Sequence, residues 1–141
     1  MSDNNFEMTP IIHLKEFEVE YISDPEKELC LIKEITKSLI DIGIAPSYKG
    51  FNYIIDSVRL MMRKGLAHAI ITKDVYRPVA ALYSTSPSLV EHCIRTAIRS
   101  GWKKTKDSDI LRTIYSGADE CPTNYAFLSA FTMYVYNRIS L

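Results

Sequence analysis

A chain of 141 residues that is 47% hydrophobic and 24% charged fits one domain with a buried core. It contains no run of the roughly 18 apolar residues a membrane span needs. Its acidic, polar N-terminus, Met1 to Thr9, resembles neither a secretory signal nor an Arg-rich transit peptide, so a cytoplasmic protein is expected. The formal net charge of zero hides a segregation, because residues 1–29 carry −6 and residues 30–141 carry +6. A basic domain (30–141) behind an acidic arm (1–29) suggests a nucleic-acid partner.

Along the arm, Phe17, Val19 and Tyr21 alternate with Glu16, Glu18 and Glu20. That period of two predicts a short β-strand over 14–22. A lone strand must pair, so these three residues are candidates for dimerisation with a twin chain, or for cover over the helical domain. Ser23-Asp24-Pro25-Glu26 then reads as a helix start, with a capping residue, a first-turn proline and acids facing the dipole.

Helix follows helix from there, so the expected fold is mainly α, with six helices. Leu29, Ile32, Ile35, Thr36, Leu39 and Ile40 recur at helical spacing, and Gly43 closes that run. A long helix over about 51–63 places Phe51, Ile54, Ile55, Val58, Met61 and Met62 on one face, and Lys64-Gly65 closes it. A third helix contains Val75, Val79, Ala80 and Leu82. Pro78 belongs in a first turn, so its regular part should start near Tyr76. Ser84-Thr85-Ser86-Pro87 breaks the chain before a helix from Ser88 to about Lys104. A shorter helix spans about 107–115, and Thr123-Asn124 caps the last one.

Little here points to enzyme chemistry. His13, His68 and His92 are isolated, the five glycines are scattered, and Ser86-Pro87-Ser88 is a turn and cap rather than a nucleophile elbow. Cys30, Cys93 and Cys121 lie too far apart for a CxxC metal motif and read as small buried hydrophobes. Neither cofactor nor metal is expected.

The helices on either side of residues 84–87 have the dimensions of a helix-turn-helix, although the turn lacks the usual glycine. On the second, Val90, Ile94, Ala97, Ile98, Gly101 and Trp102 form an apolar stripe. The opposite face offers Ser88, Glu91, His92, Arg95 and Thr96, which suit base edges in a DNA major groove: Arg to guanine, Glu to cytosine, Ser and Thr to either. Thr85, Ser86, Arg99, Lys103, Lys104 and Lys106 suit phosphates, which position a protein without reading sequence.

From Ile35 to Ile139 the chain resembles the C-terminal effector domains of stage-zero sporulation protein A. The matching blocks are Gly43-Ile44-Ala45-Pro46 with Lys49-Gly50-Phe51; Val75-Tyr76, Val79-Ala80 and Tyr83; Val90-Glu91, Ile94-Arg95, Ala97-Ile98 and Trp102; and Pro122-Thr123-Asn124. The resemblance implies a six-helix domain whose third and fourth helices form the helix-turn-helix. It implies binding to double-stranded promoter DNA in paired copies, a sigma-factor contact near the C-terminal side, and a place on the nucleoid. It also implies that Glu91 and Arg95 reach into the major groove. Three positions depart from the family pattern: His92 and Leu89 stand where arginine is expected, and Thr96 where histidine is. An altered or weaker DNA target follows. Only some 29 residues precede the first effector helix, too few for the family's receiver domain, so phosphorylation-driven dimerisation is not expected. The competing reading is a protein-interaction antagonist of the full-length regulator or of the sigma factor that does not touch DNA.

Overall fold

The computed structural model describes residues 24–65, 70–105, 109, 114 and 120–139. The strand expected over 14–22, with Phe17, Val19 and Tyr21, lies outside the described residues, as does Lys106. Most of the helix expected over 107–115 lies outside them too, although Asp109 and Ile114 are helical.

Among the described residues five α-helices have defined bounds: α1 (Pro25–Asp41), α2 (Lys49–Lys64), α3 (Arg77–Leu82), α4 (Pro87–Thr105) and α5 (Asn124–Ile139), with one π-helical turn (Ile71–Tyr76) leading into α3. Their ends follow from local chemistry. The Asp24 carboxylate accepts from the Glu26 N–H at 3.0 Å, and Pro25 fills the first turn, where no amide partner is needed. After α1 the chain closes with two reversed bonds, Gly43 N–H to Ile40 O and Ile44 N–H to Leu39 O, which require the positive φ of 87° at Gly43. Gly65, also at φ 87°, ends α2. Thr123 Oγ1 accepts from Ala126 N–H and caps α5, which leaves the Asn124 side chain for another purpose.

α2 is the central helix and packs on every other element described above. All six apolar residues expected on its inner face are buried. Gly50, in its first turn, is where α2 crosses α4. A Cβ there would sit 2.2 Å from the Cys93 carbonyl oxygen and 2.8 Å from Ala97 Cβ, so only glycine permits the approach. Gly101 does the same at the other end of α4, against Ile44 and the Ile42 carbonyl. Phe127, Leu128, Phe131 and Val135 of α5 close the core from below.

Two expectations about packing need correction. On α1 the buried residues are Leu31, Ile35, Ser38 and Leu39, whereas Leu29 and Ile40 are 52% and 50% exposed. α1 carries apolar residues on two sides, and the pairing with α2 and α5 selects one of them. Leu82 and Met133 likewise face outward. Cys30 is not a buried hydrophobe but exposed, while Cys93 and Cys121 are partly buried. The segment before α3 is wound as a π-turn up to Tyr76, and regular helix begins at Arg77 with Pro78 in its first turn.

Candidate nucleic-acid interface

The turn between α3 and α4 repeats the closing pattern of α1. Thr85 N–H bonds Ala80 O at 2.9 Å and Ser84 N–H bonds Ala81 O at 3.4 Å. Ser84 sits at φ 53°, the left-handed conformation a glycine usually supplies. The missing glycine is thus replaced by a serine that accepts the strain. Two residues on, Ser86 caps α4: its Oγ accepts from Leu89 N–H at 3.1 Å, leaving its own hydroxyl proton available to an acceptor in solvent.

α4 separates its two faces as the sequence predicts. Val90, Ile94, Ala97, Ile98 and Gly101 are buried, and Trp102 is partly so. Ser88, His92, Thr96, Arg99 and Lys103 are exposed, and Glu91 and Arg95 are half-exposed. At 3.6 residues per turn these seven side chains occupy an arc of roughly 140°. Lys104 is exposed but falls well outside that arc, with its Cβ beside the position of Gly43. Thr85 is half-buried and Ser86 exposed at the start of the helix.

Within the arc, Arg95 grips Glu91 with two parallel bonds, Nε to Oε2 at 3.0 Å and Nη2 to Oε1 at 3.1 Å. Nη2 also lies 3.4 Å from His92 Nδ1. The guanidinium beside Glu91 holds that carboxyl below the usual carboxylate range, with some opposition from burial, and Glu91 in turn raises the Arg95 pKa. Both groups therefore stay ionised, one donor fork beside one acceptor.

Residues to which the sequence assigns no part in this face hold it in place. Asn124 Nδ2, buried at the start of α5, donates to the Glu91 carbonyl oxygen at 3.0 Å and to Tyr76 Oη at 3.0 Å. It ties α5, α4 and the turn before α3 together at the level of Glu91. Burial pushes the Tyr76 hydroxyl up, only partly offset by the Asn124 bond, so it stays protonated. At the far end Ser100 Oγ donates to Tyr48 Oη at 3.0 Å, and Thr105 Oγ1 reaches the Ile42 carbonyl at 2.7 Å. Asn124 beside a helix start reads as a cap in sequence, and nothing local reveals that its amide spans 33 and 48 residues.

Among the described residues no cluster of three or more His, Cys, Asp or Glu could hold a metal, and no helix is long and apolar enough to cross a membrane. A small all-α domain, with a short helix, a tight turn and a second helix that buries one stripe and presents Ser, Glu, His, Arg and Thr on the other, is a domain of the helix-turn-helix class. Residues 35–135 match the family described as sporulation initiation factor Spo0A, C terminal. The match spans well over half of the chain, and the chain belongs to that family, one of DNA-binding sporulation regulator domains rather than enzymes.

Proposed function

We propose that the chain is a sequence-specific transcription regulator that reads promoter DNA in the major groove through α4. The observation that carries this is the single arc of exposed polar and basic side chains on a helix whose other side is locked into the core. Ser88, Glu91, His92, Arg95 and Thr96 are the base readers. Thr85, Ser86, Arg99, Lys103, Lys104 and Lys106 anchor phosphates, with Lys104 reaching from the flank. Residues 30–141 form the effector unit, which works on nucleoid DNA in paired copies and offers its C-terminal side to a sigma factor.

The Glu91–Arg95 pair gives the readout its chemistry. Exposed ion pairs contribute little in water, so DNA can open this one at small cost. Arg95 then donates both bonds to guanine O6 and N7, and Glu91 accepts from a cytosine N4 amine. The pair in the free protein is also the observation that favours the antagonist reading, because it keeps the two readers occupied with each other. A gel shift with a family-type promoter box at two salt concentrations separates the readings. Specific binding that weakens steeply with salt supports DNA recognition. Equal, weak retardation of the box and of a scrambled duplex sinks it.

A further inference from the structure

Leu89 is the one large apolar side chain on α4 that stands exposed, at 37%. Single exposed leucines are common on protein surfaces and need no explanation by themselves. The place of this one is unusual. At about 100° per residue it lies only about 20° beyond Thr96, on the edge of the arc far from Glu91. Counting Leu89 widens the arc to about 160° and gives the reading face two flanks. The Glu91–Arg95 pair forms one. Thr96 and Leu89 form the other, with Ser88, His92 and Arg99 between them.

Leu89 is also fixed in position. It is the third residue of α4, and Ser86 Oγ accepts from its N–H at 3.1 Å. Side-chain length is graded along the arc. Ser88 and Leu89 are short and sit at the N-terminal end, whereas Arg99 and Lys103 are long and sit toward the C-terminal end. A helix that enters a groove by its N-terminus suits that order, because its first turn comes nearest to the base edges and its later turns reach back to phosphates.

The bases limit what an apolar side chain can meet there. A leucine neither donates nor accepts hydrogen bonds. Pressed against a purine edge or the cytosine N4 amine, it would strip water from polar groups and return no bond. Thymine alone presents an apolar group in the major groove, its C5-methyl. We propose that Leu89 is a further base-reading residue, selecting thymine through that methyl group on the opposite flank from Glu91 and Arg95. This role rests on α4 entering the major groove, and it adds an apolar reader to the polar ones. The box then has two parts: a G·C-containing part read by hydrogen bonds, and a thymine read by contact.

Uracil substitution tests the assignment, since uracil keeps every hydrogen-bonding group of thymine and lacks only the methyl. Duplexes are selected from a random pool with the full chain. Each thymine of the enriched box is then replaced singly by uracil, and binding is titrated for the parent, Leu89→Ala and Leu89→Gln. Both variants place good helix formers at an exposed position. One replacement should weaken binding by the parent about fourfold, the effect of leaving one methyl group unburied. The same replacement should make little difference to either variant, whereas Leu89→Met, still apolar, should keep most of the penalty. A box in which no thymine methyl matters to the parent, or a methyl effect of equal size in Leu89→Ala, would overturn the role of Leu89 without touching the reading of DNA by α4. A pool from which the parent enriches no sequence would overturn both.

Discussion

Replacing Gly50 with alanine would place a methyl carbon 2.2 Å from the Cys93 carbonyl oxygen, 2.8 Å from the carbonyl carbon and 2.8 Å from Ala97 Cβ. Ordinary contact begins at 3.4 Å, so the two helices must part by about 1 Å. Two of the three obstructing atoms are backbone, so no rotamer change relieves the clash. Overpacking of this kind costs about 1–3 kcal/mol, and the rigidity of the partner places Gly50→Ala toward the upper end. Helix propensity opposes it, since alanine in place of glycine gains up to about 1 kcal/mol. The net expectation is a loss of about 2 kcal/mol, or roughly 6–10 °C in melting temperature for a chain of this size. Thermal unfolding followed by circular dichroism measures it. The same displacement tilts α4, so DNA affinity should fall at temperatures where the variant is still folded. A variant as stable as the parent, with unchanged DNA binding, would show that the α2–α4 crossing does not depend on glycine and would refute the reasoning.

Four further outcomes are expected. Arg95→Ala should weaken binding to the promoter box roughly 10–100-fold while leaving binding to random duplex little changed, as read by competition gel shift. Asn124→Ala removes the bonds to Tyr76 and to the Glu91 carbonyl, and should destabilise by about 1–3 kcal/mol in urea. Ser84→Gly relieves the positive φ and should be neutral or stabilising by up to about 1 kcal/mol, whereas Ser84→Val should be destabilising. The Tyr83 hydroxyl donates to Asp56 Oδ2 at 2.6 Å, and burial together with that carboxylate pushes its pKa up to about 12. Because the folded state holds this proton more tightly than the unfolded chain, its contribution is complete below pH about 10. It is lost as pH rises toward 12, and Tyr83→Phe should abolish that part of the alkaline fall.

Much of α4 was legible because one helix with a single apolar stripe can face a core in only one way. The termini of α1, α2 and α5 were legible for a similar reason: Asp24-Pro25, Gly43, Gly65 and Thr123 act through bonds to residues two to four positions away. α1 shows where that logic stops. Leu29 and Ile40 fit the helical period as well as Leu31, Ile35 and Leu39 do, and only contact with α2 and α5 decides between them. The Asn124 bridge and the Gly50 crossing were hidden because their partners lie 33 or more residues away in sequence. The π-turn over Ile71–Tyr76, with Val75 and Tyr76 buried, likewise carries no local signal in the sequence.

Selection of bound duplexes from a random pool, run in parallel with the parent chain and with Arg95→Ala, tests the central claim most directly. If α4 reads the major groove, the parent enriches a defined box containing the guanine that Arg95 contacts, and the variant loses preference at that position. Enrichment of no sequence by the parent, or of the same box by both proteins, would contradict recognition through this helix face.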